Sequence, residues 1–314
     1  MFLGTPAFAV PSLEVLVRLR DRRAIDVVAV VTQPDRPGHR GRITPPAVKN
    51  SALARGLRVI QPEPLPGNGP GWRTTAMWDE VLHLHPDALV WAAYGGLVPK
   101  RILEAVHGRA VNVHPSLLPR WRGAEPVAHA ILAGDRTTGV TLMEGTTELD
   151  AGATIMQTFV DVPDDATTGE LEVDLAEHGA RMLETYLPDY LAGKMRTHPQ
   201  SGTVTWAPKL DPKQGELDLS RPAEELARIV RAYTPDPGAF TSFRGQRINV
   251  LRATAVAGTE APIGTLVKEE TAAAARTAAG WLRFDEVKPA GKRAMSGADW
   301  ARGLHDIEGA RLPS

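Results

Sequence analysis

Across the first two-thirds of the chain, short β-branched and apolar runs alternate with segments of helical periodicity, each change marked by Gly, Pro or a polar residue. Such a pattern builds βαβ units, because parallel neighbours must be joined by a crossover long enough to return the chain to the same sheet edge. Strands read at 27–32, 57–60, 88–93 and 110–113, with helices at 12–20, 47–54, 75–84 and 100–105. The fold class implied is α/β, a Rossmann-like, mostly parallel, doubly wound open sheet. Its first strand would hold only residues 1–3 before the Gly4-Thr5-Pro6 turn, against the ~5–6 residues that are usual. A naturally short strand and a start lying a few residues upstream both fit.

At 314 residues the chain exceeds what one core commonly reaches, ~250–300 residues, so a boundary is expected. An amphipathic stretch over 168–191 reads as a helix on the sheet, and the polar stretch after it suggests a linker over 192–210. Beyond lie a helix at 223–233 and short strands at 239–243, 247–253, 264–267 and 281–287, the signature of a small β-barrel module. The expected division is therefore 1–191, a linker at 192–210, and 211–314.

Several classes of chemistry are excluded. Without any cysteine there is no disulfide, no thiolate zinc site and no thiol nucleophile. The 36 Lys and Arg nearly balance the 37 Asp and Glu, so no global attraction to polyanions operates. No apolar run nears the ~18 residues of a membrane span, and the opening residues lack a secretory pattern, so a cytoplasmic location is expected. Gly4-Thr5-Pro6 is not G-x-G-x-x-G and no Walker loop occurs, so neither dinucleotides nor nucleoside triphosphates are implied.

The informative stretch is 110–124, AVNVHPSLLPRWRGA. Side chains two apart on a strand share a face, so Asn112 and His114 point the same way where the strand gives out into a proline-broken loop. Open α/β sheets bind ligands outside the carboxyl ends of their strands. An amide N–H and an imidazole can both donate to an oxyanion, and imidazole can also carry a proton near neutral pH. Asp150, in ELDAG after the next strand (139–143) and before another (154–160), is the candidate carboxylate partner. Taken alone, these residues read more readily as turn-capping polar groups than as a catalytic set.

The run NVHPSLLPRWRGAEPVAHAI, at its spacing from ELDAG, resembles the signature of folate-dependent formyltransferases. GTPAFAVPSL, VTQPDRPGHRGRITPPAVK, WAAYGGLVPK, RAYTPDPGAF and KPAGKRAM extend the resemblance over 1–303 toward the methionyl-tRNA formyltransferase family. The resemblance implies formyl transfer from 10-formyltetrahydrofolate to the methionine of initiator methionyl-tRNA, with no metal. It implies Asn112, His114 and Asp150 as the catalytic set, and Ser116, Leu117, Leu118 and Pro119 as tetrahydrofolate contacts. Tyr94 and Gly95 could supply the opposite wall of a flat, largely apolar slot. The basic loop with Arg36, Arg40 and Arg42 becomes the acceptor-end binding loop, and Lys209, with Lys213, Lys288, Lys292 and Arg293, could continue a basic track. The second domain would be an oligonucleotide-binding-like barrel, and the protein is expected to be a monomer. Departures from the family pattern, at Glu144–Thr147, Ala153, Arg42 and Leu219, touch fine contacts. A sibling enzyme acting on a glycinamide nucleotide or an amino sugar would share the three catalytic residues, and a non-catalytic RNA-binding protein would share the arginines.

Overall fold

The computed structural model describes residues 1–37, 43–64, 72–269, 272–305, 307 and 310–313. The chain divides into two compact units, one made of Met1–Ala124, Thr137–Asp161 and Glu172–Ala207, the other of Glu125–Arg136, Val162–Leu171 and Pro208–Ser314. The boundary thus differs from the sequence expectation. Residues 192–207, expected as linker, are bonded into the first unit: Thr154 and His198 exchange backbone hydrogen bonds of 2.8 and 2.9 Å, and Trp206–Ala207 pairs in parallel with Arg122–Gly123.

In chain order the elements are β1 (Phe2–Gly4), α1 (Val10–Asp21), β2 (Val30–Val31), α2 (Ala47–Ala54), β3 (Val59–Ile60), α3 (Thr74–His83), β4 (Leu89–Ala92), α4 (Lys100–Ala105), β5 (Ala110–His114), α5 (Pro126–Ala133), β6 (Thr137–Glu144), β7 (Thr154–Asp161) and α6 (Thr168–Leu191). The first unit's sheet runs β7-β6-β5-β4-β1-β2-β3. Its β3, β2, β1, β4 and β5 are parallel, whereas β6 runs antiparallel to both neighbours. All five residues of β5 are buried, as a strand paired on both edges and covered on both faces requires. Helix α6 supplies part of that cover through Leu175, Gly179, Leu183 and Leu187, which follow one another at helical spacing and are all buried. At Gly179 a Cβ would stand 2.5 Å from Val113 Cγ1, so helix and strand approach closer than any larger residue permits.

The second unit adds α7 (Ala223–Tyr233), β8 (Ala239–Phe243), β9 (Gln246–Val256), β10 (Leu266–Lys268), β11 (Ala273–Arg276), β12 (Trp281–Pro289), β13 (Met295–Ser296) and α8 (Gly297–Arg302). They form an antiparallel half-barrel of order β8-β9-β12-β11-β10, with β13 on β12. Register shifts around Arg252 bulge the long strand β9 where it pairs with β12, the irregularity that bends a sheet. Phe284, fully buried, meets Trp300 edge-on at 5.6 Å, and Trp300 meets Phe243 likewise at 6.4 Å. Phe284→Ala should therefore cost the second unit about 3–5 kcal/mol through lost burial and an unfilled cavity. Urea denaturation of the full chain, followed by tryptophan fluorescence, should show an earlier transition.

Candidate active site

Asn112 and His114 lie two apart on β5 and are 6% and 4% exposed. A buried polar group in a central strand costs free energy unless bonded, and Asp150 meets that need. Asn112 Nδ2 donates to Asp150 Oδ1 at 3.3 Å, while Asp150 Oδ2 accepts from the Gly123 N–H at 2.9 Å and stands 3.7 Å from His114 Nδ1. Because a carboxylate only accepts, the Asn112 nitrogen must face it, and its second N–H remains for another acceptor. His114 Nε2 lies 2.9 Å from the Trp121 carbonyl. A carbonyl also only accepts, so Nε2 carries the proton and the neutral ring presents its lone pair at Nδ1, on the Asp150 side.

The loop after β5 is tied to β6 and β7. Ser116 N–H donates to the His114 carbonyl at 2.9 Å, and its hydroxyl donates to the Arg120 carbonyl at 2.6 Å. Thr141 donates to the Ser116 carbonyl at 2.6 Å and accepts from Leu118 N–H at 3.2 Å, while Gln157 Nε2 donates to both Thr141 Oγ1 and the Leu118 carbonyl at 2.9 Å. The Leu118-Pro119 peptide is cis. Of the four expected folate contacts, Ser116, Leu118 and Pro119 are buried and Leu117 is half-buried, and the Ser116 hydroxyl is committed within the loop.

Tyr94 and Gly95 follow β4. The Tyr94 ring is buried against Trp78, burial pushes its hydroxyl up to about 12, and its carbonyl accepts from Thr5 Oγ1 at 2.7 Å. Gly95 takes φ +77°, left-handed backbone that glycine adopts without strain. A cleft of ≈ 560 Å³ opens among Gln33, Pro62, Trp78, Tyr94, Leu97 and Arg101, and three of these residues follow the carboxyl ends of β2, β3 and β4.

Arg36 is exposed at the start of the basic loop, where it pairs with Thr44 across a two-residue ladder. Arg40 and Arg42 lie outside the described residues. The loop's stem is pinned by Asp35, which accepts from Lys49 at 2.8 Å and from Gln61 at 3.0 Å, and these bonds hold its carboxyl below the usual range. Lys209 is exposed in the second unit.

Four groups around Asp150 escape a reading of residue types: the Trp121 carbonyl, the Gly123 N–H, Arg122 and Gln200. Gln200 Nε2 donates to the carbonyls of both Asp150 and Gly152 at 2.8 Å, and its Oε1 accepts from Arg122 Nε and Nη2 at 3.1 and 2.7 Å. Only Gly123 carries a local signal, since it combines φ +126° with a backbone contact, the Ala207 carbonyl 2.6 Å from where a Cβ would sit.

A mostly parallel sheet that brings an amide and an imidazole to one carboxylate at a strand's end can donate to an oxyanion and move a proton at a carbonyl-type carbon. In comparison with known proteins, residues 4–187 match the formyl transferase family model and 209–305 match the formyl transferase C-terminal domain model. The chain belongs to the formyl transferase family. Its relatives include proteins named methionyl-tRNA formyltransferase from Myxococcus xanthus, 42% identical over 96% of this chain and 94% of that one, and from Roseiflexus castenholzii, 42% identical over 99% and 98%. In fold the chain is similar to WlaRD, described as a sugar 3N-formyl transferase, with TM-score 0.66 at 15% identity over 93% of this chain and 97% of that one. It is also similar to HypX from Aquifex aeolicus in complex with tetrahydrofolic acid, with TM-score 0.63 at 17% identity, and spans 99% of its own length but only 47% of HypX.

Proposed function

We propose that this protein moves the formyl group of 10-formyltetrahydrofolate to the α-amino group of methionine on initiator methionyl-tRNA, preparing it for translation initiation. The observation that carries the reading is the shared contact of Asn112, His114 and Asp150, within a chain akin along its whole length to enzymes of that name. The first unit, with residues 192–207 bonded into it, would perform the chemistry, and the second would hold tRNA. In this reading the protein works in the cytoplasm, as a monomer. No helix among the described residues is long and apolar enough to cross a membrane.

The co-substrate supplies an activated formyl carbon whose oxygen gathers negative charge as the amine attacks. The free N–H of Asn112 donates to that oxygen, a role in which one positioned donor contributes about 10²–10³ in rate. An amine attacks only when neutral; His114 accepts the proton it sheds and, as the oxyanion collapses and the bond between the formyl carbon and N10 breaks, returns that proton to N10 of the departing tetrahydrofolate. The imidazole Nδ1 bears the lone pair, and a proton arriving there faces Asp150, whose negative charge stabilises the imidazolium. The turn Ser116–Pro119 fits a flat ligand through the half-buried Leu117 and its backbone rather than through the Ser116 hydroxyl, with Tyr94 and Gly95 opposite.

Arg36, Arg40, Arg42 and Lys209 serve the tRNA by phosphate contact. Each charge that contacts a phosphate adds ~0.9 to the slope of log K against log salt. Arg36→Ala with Lys209→Ala should raise KM for methionyl-tRNA and flatten that slope by ~1–2, without changing KM for the folate. An unchanged slope would remove both residues from the interface. The reading itself is tested by incubating the protein with labelled 10-formyltetrahydrofolate and charged initiator tRNA, a glycinamide ribonucleotide and an amino-sugar nucleotide in parallel. Label transferred to tRNA alone is the expected result; label on either small acceptor alone would move the enzyme to a sibling specificity.

A further inference from the structure

We infer that Gln200 is a positioning residue for formyl transfer, clamping the backbone that carries Asp150. The inference rests on the reading of Asp150 as a catalytic residue. Asp150 sits at φ +49°, left-handed backbone that residues other than glycine adopt infrequently, aspartate more readily than most. The turn needs outside support to hold that conformation. Its neighbours Leu149 and Glu148 are exposed, Glu148 by 76% of its side chain, so packing supplies little of it.

The support is a chain of directed hydrogen bonds. Arg122, 9% exposed, places Nε and Nη2 on a single atom, Gln200 Oε1. A guanidinium only donates, so the amide oxygen must face it, and the amide nitrogen therefore faces the other way. There Nε2 divides its two hydrogens between the Asp150 and Gly152 carbonyls, both at 2.8 Å. Those carbonyls flank the turn's apex, and fixing both fixes the Cα–Cβ direction of Asp150.

Arg122 is itself held as part of the site. Its N–H donates to the Thr205 carbonyl at 2.9 Å, and the next N–H, that of Gly123, donates to the Asp150 carboxylate at 2.9 Å. One short segment, Arg122–Gly123, therefore grips Asp150 twice: directly at the carboxylate and through Gln200 at the main chain. Displacement of the carboxylate by ~1 Å would break its contacts with Asn112 and His114, and misplacement on that scale costs about 10²-fold in rate.

The test uses the full-length enzyme in steady-state assays that vary methionyl-tRNA and 10-formyltetrahydrofolate in turn. Gln200→Ala is expected to lower kcat by about 10- to 100-fold while both KM values hold. Gln200→Glu keeps the side chain's shape and an acceptor for Arg122 but offers no donor to the two carbonyls, so it should be equally impaired while melting close to wild type. It carries the test if the alanine variant does not fold. In an Asp150→Asn background, Gln200→Ala should add no further loss, because residues that act through one group are not additive. Wild-type kcat in Gln200→Glu, or full additivity with Asp150→Asn, would overturn the clamp. A defect confined to KM for tRNA would overturn it as well. A fully active Asp150→Asn single variant would instead remove the catalytic reading of Asp150, whatever Gln200 does.

Discussion

His114→Ala is expected to lower kcat for formyl transfer by about 10²–10⁴-fold, the usual range for removing a positioned general base, while KM for each substrate changes little. The ring meets its surroundings through two nitrogens with separate duties. Nε2, at 2.9 Å from the Trp121 carbonyl, holds the tautomer, and Nδ1, at 3.7 Å from Asp150 Oδ2, is where a proton arrives. Alanine abolishes both and removes one hydrogen bond from the Trp121 carbonyl, a loss of about 0.5–1.5 kcal/mol of stability. Thermal denaturation run beside the kinetics separates the two effects: a folded variant with lost turnover is the expected pair. Asn112→Ala should be milder, about 10²–10³-fold, because it removes one oxyanion donor and leaves the base in place. Wild-type turnover in His114→Ala would take the imidazole out of the reaction and leave the amide and carboxylate to account for it.

What the residues disclose before folding, and what they conceal, follows physical lines. Helices α2, α4, α6 and α7 begin and end where periodicity puts them, because each carries an apolar stripe bounded by breakers. The run 27–32 is strand-like throughout but only Val30–Val31 pair as strand, since their partners β1 and β3 are themselves two or three residues long. Helix α5 passes unseen although Pro126 opens it and Gly134, at φ +73°, closes it, because the motif running into it draws attention to residue identity rather than period. Strand β11 is Ala-Ala-Ala-Arg, buried throughout, and alanine has no preference for strands; only its neighbours β10 and β12 make it one. Within the site, the shared face of Asn112 and His114 follows from the period of two, and Asp150 is brought to them by a turn whose path no spacing specifies. Gln200 lies 50 residues beyond Asp150 in a polar segment that reads as connector, and backbone partners such as the Trp121 carbonyl carry no residue-type signal at all.

The glycine of ELDAG yields the second large effect. A Cβ on Gly152 would lie 1.7 Å from the Glu144 carbonyl oxygen and 2.7 Å from its carbon, and both are main-chain atoms that cannot swing aside as a side chain would. The contact is fixed because Glu144 N–H donates to the Ala153 carbonyl at 2.8 Å, which closes the end of the β6–β7 pairing beside a bulge at Leu142/Met143. Gly152→Ala must therefore open that pairing or displace the turn. Overpacking of this kind costs about 1–3 kcal/mol and more where backbone is the obstacle, so the upper end or beyond is expected in denaturant unfolding. The same displacement carries the Gly152 carbonyl off Gln200 Nε2 and Asp150 off Asn112 and His114, so turnover should fall together with stability. Gly193→Ala supplies the contrast. Gly193 also has left-handed backbone, φ +71°, but none of the described residues lies within 4 Å of its would-be Cβ, so the substitution bears only conformational strain, about 1–2 kcal/mol, and should leave kcat untouched. If the two variants lose stability equally and both retain turnover, then the tight approach at Gly152 is not what positions the aspartate.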